Sequence, residues 1–468
     1  MQAESSQKNL PVTGTLSICM IVKNEEAVLG RCLQSIKSVA DEIVVVDTGS
    51  SDSTVKIAKK FGAKVFSSEW KNDFSFARNI SIKNASGSWI LWLDADDIVP
   101  EQSLPLIASL KTTKPDRVLG FIVRNQKPGN TGTEFVQARM FPNREDIFFE
   151  RSIHEQMMPS ALRIGMRMES CPVIIEHHGY ADPQILKQKA KRNIDMLLRE
   201  FDINGADPVM GVEIADSYQL IEDFDTAEVW YKRVLETQGC ITAMPAIAGQ
   251  AYLGLGNCCQ KKESFKDAVE YFRSALKLSP WRSDVYYNMA VALEMQGLVE
   301  ECVESLKQVL LIKPQPGQVG VDFRAAQLKA YLRIVRVLIE LNRIEDAAFY
   351  TEAAQKAFPD RPEIQNLAGK FHLKTGKLIN ALHSFEKSIL LIREGNTEAY
   401  IGLCIIYRLA NMKQRAIETL ENIEPFFNHD KRFTAFKWFF LQERTDSSGD
   451  ENIDTVLSNL RKEFFNCF

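Results

Sequence analysis

One segment of the chain runs from five large apolar residues directly into three carboxylates, as Trp89-Ile90-Leu91-Trp92-Leu93-Asp94-Ala95-Asp96-Asp97-Ile98-Val99-Pro100. A short apolar run that is rich in aromatic and β-branched residues is typical of a strand buried on both faces of a sheet. The acidic residues then lie at the carboxyl end of the strand, where open α/β sheets bind ligands. In an extended chain Asp94 and Asp96 point to one side and Asp97 to the other. Such a pair favours Mg²⁺ or Mn²⁺ shared with a ligand's phosphates, and an acidic turn without a ligand is the alternative.

Apolar strands and amphipathic helices alternate through the first part of the chain. Buried strands are predicted at 16–22, 42–46, 64–66 and 89–93, and helices at 27–38, 53–61 and 73–85. This alternation predicts an α/β domain with a Rossmann-like, mostly parallel sheet and helices on both faces. The carboxyl ends of parallel strands meet at one edge, so the polar residues at 23–25, 47–52 and 94–97 are expected to converge there.

The turn Gly49-Ser50-Ser51 precedes a helix and offers backbone N–H groups to a phosphate. It lacks the lysine of a P-loop and the GxGxxG spacing, so neither of these phosphate motifs applies. Asp52 is predicted to cap the following helix, and this structural role is the alternative to ligand binding.

These segments resemble the inverting glycosyltransferases of family two, which have the GT-A fold. The matching residues are Met20-Ile21-Val22-Lys23-Asn24-Glu25-Glu26, Val46-Asp47-Thr48-Gly49-Ser50-Ser51-Asp52, Ala77-Arg78-Asn79 and Leu93-Asp94-Ala95-Asp96-Asp97. The resemblance implies a nucleotide-sugar donor on the sheet edge, near Lys23, Glu25, Asp47, Gly49, Asp52, Arg78, Asp94 and Ala95. It also implies that Asp94 and Asp96 are the DxD pair and bind Mn²⁺ or Mg²⁺. Thr48 stands where many members carry a second aspartate that reads the base, so this motif does not fix the expected preference for UDP.

Two further segments supply candidate catalytic residues, Phe148-Phe149-Glu150-Arg151-Ser152-Ile153-His154-Glu155 and Val173-Ile174-Ile175-Glu176-His177-His178-Gly179-Tyr180. Glycosyl transfer with inversion needs a base to accept the acceptor's proton, and Glu155 is predicted to be that base, next to His154. His178, or His177, is predicted as the third metal ligand. Similar Ile-His-Glu and His-x-Gly-Tyr stretches close the catalytic domain in this group of transferases. Histidines satisfied by neighbours in the core or at a strand edge are the alternative, and the absence of a QxxRW motif favours transfer of a single sugar.

From residue 182 onward the pattern is helical only. Signature residues recur after about 34 residues, the length of a tetratricopeptide unit. The clearest pair of copies is Tyr252, Ala268, Phe272 and Pro280, followed by Tyr286, Cys302, Leu306 and Pro314. These residues resemble the tetratricopeptide repeat, which stacks into a superhelix with a concave binding face. The predicted organisation is a disordered lead-in at 1–14, the GT-A domain at 15–181, a linking helix at 182–207, repeats at 208–430 and capping helices at 431–468.

The composition is that of an ordinary soluble protein, with 45% hydrophobic residues, 25% charged residues and a net charge of −4. There is no basic excess to favour a nucleic-acid partner. No segment reaches the about 18 apolar residues of a membrane span, and the first residues lack the apolar core of a secretory signal. Nine scattered cysteines without a CxxC pair indicate neither a disulfide framework nor a zinc site, which predicts a cytoplasmic location.

Together these features predict a metal-dependent inverting glycosyltransferase. A repeat array fused to such a domain resembles bacterial peptide and protein glycosyltransferases, including the peptide S-glycosyltransferases, so a polypeptide acceptor is expected. A saccharide or lipid-linked glycan acceptor is one alternative, and an inactive scaffold that binds partners through its repeats is another. The repeats are expected either to bind the acceptor or to serve as a structural arm or homodimer interface.

Overall fold

The computed structural model describes residues 14–125, 134–179, 183–205, 207–313, 321–393, 395–427, 429–442 and 451–464. The predicted lead-in, except for Gly14, and Tyr180 of the His-x-Gly-Tyr stretch lie outside the described residues. The described chain divides into two compact units, with the boundary between Trp281 and Arg282. The first unit therefore contains the α/β domain together with the first helices of the helical region.

The described residues of the α/β domain form one eight-stranded sheet. Its strands are β1 (Leu16–Val22), β2 (Glu42–Asp47), β3 (Lys64–Ser67), β4 (Trp89–Trp92), β5 (Asp97–Ile98), β6 (Val118–Asn125), β7 (Glu134–Pro142) and β8 (Met168–His177). The helices are α1 (Leu29–Ile36), α2 (Thr54–Lys60), α3 (Phe74–Lys83), α4 (Leu104–Lys111) and α5 (Met158–Arg163), with a 3₁₀ turn at Glu101–Ser103.

The strand order is β3-β2-β1-β4-β7-β6-β8-β5. The first four strands pair in parallel, and β7 pairs antiparallel with both β4 and β6. β8 pairs in parallel with β6 and antiparallel with β5. The predicted mostly parallel α/β sheet is confirmed, and its mixed half brings the end of β8 back to the acidic residues.

Apolar residues on both faces explain why the central strands are continuous apolar runs. Trp89 and Leu91 of β4 belong to one core cluster, and Ile90 and Trp92 belong to another. All four are buried. Full burial of one large apolar side chain contributes about 1.5–3 kcal/mol, so this strand is a major contributor to the stability of the sheet.

The helical region begins directly after the α/β domain. In the first unit its helices are α6 (Pro183–Asn204), α7 (Pro208–Leu220), α8 (Phe224–Glu236), α9 (Cys240–Ala243), α10 (Pro245–Lys261) and α11 (Phe265–Leu278). In the second unit they are α12 (Ser283–Met295), α13 (Val299–Leu311), α14 (Phe323–Glu340), α15 (Ile344–Ala357), α16 (Pro362–Lys374), α17 (Leu378–Leu391), α18 (Thr397–Leu409), α19 (Lys413–Phe427), α20 (Lys431–Gln442) and α21 (Glu451–Glu463).

Small residues let consecutive helices approach closely, as the repeat pattern predicted. A side chain at Gly256 of α10 would collide with the ring of Phe272 of α11, and one at Gly369 of α16 would collide with Phe385 of α17. The predicted helical repeat region is therefore confirmed. No helix in the described ranges combines the length and the apolar character needed to cross a bilayer.

Candidate active site

The loop after β1 is hydrogen-bonded to the loop after β2. The backbone N–H of Asn24 donates to Ser50 Oγ at 2.9 Å, and Asn24 Oδ1 accepts from the N–H of Ser51 at 2.8 Å. The N–H of Glu25 donates to Thr54 Oγ1 at 2.7 Å. Two of the predicted donor-binding segments therefore lie side by side at the carboxyl edge of the sheet, where the side chain of Lys23 is exposed.

Asp47 and Asp52 stabilise the turn between β2 and α2. The buried carboxylate of Asp47 accepts the N–H groups of Gly49 and Ser50, each at 3.2 Å. Gly49 has a φ of 104°, a conformation that favours glycine. Asp52 accepts the N–H of Thr54 at 2.9 Å, although α2 begins at Thr54 and not at position 53. Both carboxylates have structural partners, and their roles toward a ligand stay predictions.

The chain turns immediately after β4. The N–H of Asp97 donates to the carbonyl of Asp94 at 3.1 Å, and the Asp97 carboxylate accepts the N–H of Asp94 at 2.8 Å. The expectation that Asp97 points away from Asp94 is wrong, because it assumed an extended backbone through position 97. Asp97 and Ala95 are buried, whereas Asp94 and Asp96 are partly exposed.

Arg139 of β7 balances the charge of the buried Asp97. Its Nη1 donates to Asp97 Oδ2 at 2.8 Å, and its guanidinium lies 3.8 Å from the centre of the Trp92 ring. A buried carboxylate without a partner is strongly destabilising, so this pairing explains how Asp97 remains in the core. Arg139 is absent from the predicted site residues, although a charged residue flanked by Ala138, Met140 and Phe141 is a usable signal in the sequence.

His177 is the histidine that contacts the acidic turn. The β5–β8 pairing sets it opposite Asp97, and its Nδ1 lies 2.8 Å from Asp97 Oδ1 and 3.5 Å from Asp96 Oδ1. The imidazole of His178, the predicted ligand, instead lies beside Glu176, with Nε2 3.6 Å from Oε2. His178 reaches the acidic turn through its backbone, whose N–H donates to the Asp96 carbonyl at 2.9 Å.

Arg78 of α3 joins the acidic turn to the candidate base. Its Nη2 donates to Asp94 Oδ1 at 2.8 Å, and its Nε donates to Glu155 Oε1 at 2.5 Å. The guanidinium lies 4.2 Å from the centre of the Trp92 ring. The third nitrogen, Nη1, is buried and has no hydrogen-bond partner among the described residues. Asp94 and Glu155 therefore share the Arg78 guanidinium.

Glu155 and His154 lie in a short loop closed by a pair of backbone hydrogen bonds. Glu150 and Gln156 exchange these bonds at 2.9 and 3.0 Å. Arg151 has a φ of 74° and His154 a φ of 53°. Left-handed backbone costs a non-glycine residue about 1–2 kcal/mol, so the surroundings must stabilise this loop. Glu155 is largely buried, whereas His154 is exposed.

The charged groups at this edge of the sheet shift one another's pKa values. Burial alone would raise the pKa of the Asp94 carboxyl, but Arg78 and Arg139 lower it to about 2. The pKa of Asp96 is raised by its burial and by the two neighbouring carboxylates, against the opposing effect of His177. The pKa of His177 is raised, chiefly by its hydrogen bond to the acidic turn. Asp96 therefore carries negative charge that the surrounding side chains do not fully balance.

A group of ligand-type side chains is present at the acidic turn. Asp94, Asp97 and His177 each offer one ligand atom, and these atoms lie within 4.8 Å of one another. Carboxylate oxygens and an imidazole nitrogen suit Mn²⁺, and carboxylates also suit Mg²⁺.

The chain combines a mostly parallel sheet, which has a carboxylate cluster at its carboxyl edge, with closely packed helix pairs. This is the arrangement of an α/β transferase domain with helical repeats. Residues 17–175 match the family described as glycosyl transferase family 2, and residues 247–320 match the tetratricopeptide repeat. The chain thus carries a family 2 glycosyltransferase domain followed by tetratricopeptide repeats, as the sequence predicted.

Two curated relatives match substantial parts of the chain. A TPR repeat-containing protein of Synechococcus elongatus is 30% identical over 273 residues, which cover 56% of this chain and 66% of the relative. The SPbeta prophage-derived glycosyltransferase SunS of Bacillus subtilis is 30% identical over 194 residues, which cover 39% of this chain and 44% of the relative. The chain therefore spans less than two thirds of the length of each of these relatives.

One solved structure that is similar to this chain is that of YrrB, described as a TPR protein with an unusual peptide-binding site. It is 17% identical, with a TM-score of 0.34, and the match covers 44% of this chain and 96% of that chain.

Proposed function

We propose that this protein is an inverting glycosyltransferase that moves a sugar from a nucleotide-sugar, with UDP as the expected nucleotide, to a polypeptide acceptor. The observation that carries the proposal is the bridge formed by Arg78 between Asp94 and Glu155. It sets a carboxylate of the DxD pair next to a carboxylate suited to act as a base, at the edge of the sheet where such domains bind donors.

The donor is proposed to lie along the loops after β1, β2 and β4. Asp47 and the turn at Gly49 would hold the base and ribose, with Lys23, Glu25 and Asp52 on the adjoining loops. Their mutual hydrogen bonds give this surface a fixed shape, which supports the assignment. The unpartnered Nη1 of Arg78 is a donor suited to an anionic group of the ligand.

A divalent cation, Mn²⁺ or Mg²⁺, is proposed to be held by Asp94, Asp96 and His177. The bond between His177 Nδ1 and Asp97 supports this choice over His178, because ligating histidines use their other ring nitrogen to bind a carboxylate. When bound, such a cation neutralises charge on the leaving diphosphate.

Glu155 is proposed to be the general base, with His154 next to it at the surface. The nucleophilic atom of the acceptor attacks the anomeric carbon, its proton passes to the Glu155 carboxylate, and the nucleoside diphosphate departs from the opposite face. One displacement of this kind inverts the anomeric configuration. The bond from Arg78 orients Glu155 for this proton transfer.

The tetratricopeptide repeats support a polypeptide acceptor, because stacked repeats of this kind bind extended chains. The eight cysteines of the described residues are free and buried, which supports a reducing cytoplasm as the setting. Self-association through the repeats is compatible with this function and is a separate question for the oligomeric state.

The first experiment is thermal unfolding of the full chain with UDP, GDP, dTDP and CDP, each with and without Mn²⁺. A ligand at 100 times its dissociation constant stabilises by about 2.7 kcal/mol, so a donor nucleotide is expected to raise the midpoint clearly. The proposal is supported by a metal-dependent shift with one nucleotide, together with transfer of a sugar from the corresponding nucleotide-sugar to peptides. No shift with any nucleotide contradicts it and favours the inactive scaffold.

A further inference from the structure

The loop that carries Glu155 is held by helices α6 and α7 as well as by the α/β domain. On the α/β side, the N–H of Phe74 in α3 donates to the Ser152 carbonyl at 2.8 Å, and Ser75 Oγ donates to the Arg151 carbonyl. These bonds fix only the carbonyl groups at the beginning of the loop. The N–H group of Ser152 and the side chain of Arg151 face the opposite side, toward α6 and α7.

Two carboxylates of those helices bind the loop. Glu200 of α6 accepts the Ser152 N–H at 3.0 Å and the Ser152 hydroxyl at 2.5 Å. Glu213 of α7 binds the Arg151 guanidinium with both oxygens, at 3.2 and 2.6 Å. Glu200 is 7% exposed, so its charge is satisfied almost entirely by the loop. Together the two glutamates fix the side chain of Arg151, whose backbone is left-handed, and the N–H of Ser152, which follows it.

The next loop residue, Ile153, also contacts α6 and α7, through apolar packing. Ile153 is 3% exposed and belongs to a cluster otherwise formed largely by α6 and α7. The buried helix residues of this cluster are Met196, Leu197, Phe201, Met210 and Ile214. Three consecutive loop residues therefore contact α6 and α7, and the next two residues are His154 and Glu155.

We propose that Glu200 and Glu213 are positioning residues for the transfer reaction, which makes α6 and α7 a working part of the catalytic domain. This inference rests on the proposed function of Glu155. Arg151 and His154 both adopt a backbone conformation that non-glycine residues avoid, so the isolated loop would relax. The two glutamates hold it in the conformation that sets Glu155 against Arg78.

The test compares Glu200→Gln and Glu213→Gln with Glu222→Gln in the full chain. Glu222 is the control, since it pairs with Lys187 of α6 at 3.0 Å and makes no hydrogen bond or ion pair with the loop among the described residues. Misplacement of a reacting group by about 1 Å costs up to 100-fold, so kcat is expected to fall about 10- to 100-fold in the first two variants. The KM for the donor is expected to stay within about twofold, because the donor site is untouched.

Amide exchange at residues 151–156 provides a second readout. Exchange is expected to accelerate in Glu200→Gln and Glu213→Gln but not in Glu222→Gln, while the global unfolding midpoint stays above the assay temperature. If Glu200→Gln does not fold, Glu213→Gln still tests the proposal, because Glu213 is the less buried of the two glutamates.

The possible failures are distinguishable. An active wild-type enzyme with unchanged kcat in both folded variants overturns the positioning role and leaves the proposed function intact. A fall in donor affinity that matches the fall in kcat also overturns it, because it indicates general damage. A wild-type chain that neither binds nucleotide nor transfers sugar overturns the proposed function itself.

Discussion

The Nε of Arg78 donates to Glu155 Oε1 at 2.5 Å, which joins helix α3 to a loop 77 residues further along the chain. The same guanidinium binds Asp94, so one side chain fixes the separation between the acidic turn and the candidate base. A guanidinium can do this because its nitrogens lie in a rigid plane, whereas an ammonium is a single point charge.

Arg78→Lys is therefore expected to lower kcat for transfer about 100-fold while the protein remains folded. The charge is kept, and only the geometry of the bridge is lost. Arg144→Lys is the control, because Arg144 makes an exposed pair with Asp146 near the start of β4, at the opposite end of that strand from Asp94. Full activity in Arg78→Lys would mean that the bridge does not position Glu155.

Glu155→Gln is expected to retain nucleotide binding and to lower transfer by about 100-fold or more, the usual contribution of a general base. The amide still accepts a bond from Arg78, so the loop is expected to keep its conformation. Glu150→Gln changes a carboxylate in the same loop that pairs instead with Arg163, and it is expected to have little effect. Equal activities of the two variants would place the base elsewhere.

Asp96→Asn is expected to abolish the Mn²⁺-dependent part of the nucleotide-induced thermal shift, because a carboxylate proposed to hold the cation is lost. The unfolding midpoint without ligand is expected to change little. Asp116→Asn, at an exposed position, serves as the control. A metal-dependent shift of normal size in Asp96→Asn would contradict the metal assignment.

Substitution of His177 and substitution of His178 are expected to differ in their effect on Mn²⁺-dependent donor binding. His177→Gln is expected to weaken Mn²⁺-dependent donor binding about 10-fold or more, because its imidazole contacts the acidic turn. His178→Gln is expected to change it little, since its imidazole lies beside Glu176. The reverse result, measured by titration of Mn²⁺ at a fixed nucleotide concentration, would favour His178 as the ligand.

Glu42 gives a prediction about acid stability. It is 8% exposed and accepts bonds from Ser17 of β1, Lys64 of β3 and the N–H of Ser86 at 2.7 Å. Burial opposes ionisation, but these bonds lower its pKa from 4.5 to about 2. Because the folded pKa is the lower one, Glu42 stabilises the fold above pH 4.5, and this contribution is lost as the pH falls toward 2.

Glu42→Gln is therefore expected to lower the urea midpoint at neutral pH and to weaken its dependence on pH in this acidic range. Glu134→Gln, at a more exposed ion pair, is the control. An unchanged acid dependence in Glu42→Gln would show that other carboxylates determine it.

The central strands were predictable because burial on both faces leaves a continuous apolar run, as at Trp89 to Trp92. Their parallel order then followed from the alternation with helices, and so did the meeting of the loops at Asn24 and Ser50. Each of these features is encoded locally, in the period of the apolar residues and in the residues that end each element.

The partners within the site were not predictable in the same way. Asp97 meets His177 across 80 residues, through an antiparallel pairing of a two-residue strand that leaves no periodic signal. The choice between His177 and His178 depends on the register of that strand, and a shift of one residue exchanges the two side chains. The left-handed residues Arg151 and His154 likewise reflect contacts with distant helices, which the local sequence does not reveal.

The attachment of α6 and α7 to the loop of Glu155 also constrains how such proteins can diversify. Arg151 pairs with both Glu200 and Glu213, so replacement of any one of the three removes at least one ion pair, and α6 and α7 cannot be exchanged independently of the loop. Helices beyond Arg282 belong to a separate compact unit, and gain, loss or exchange of repeats there leaves the loop contacts in place.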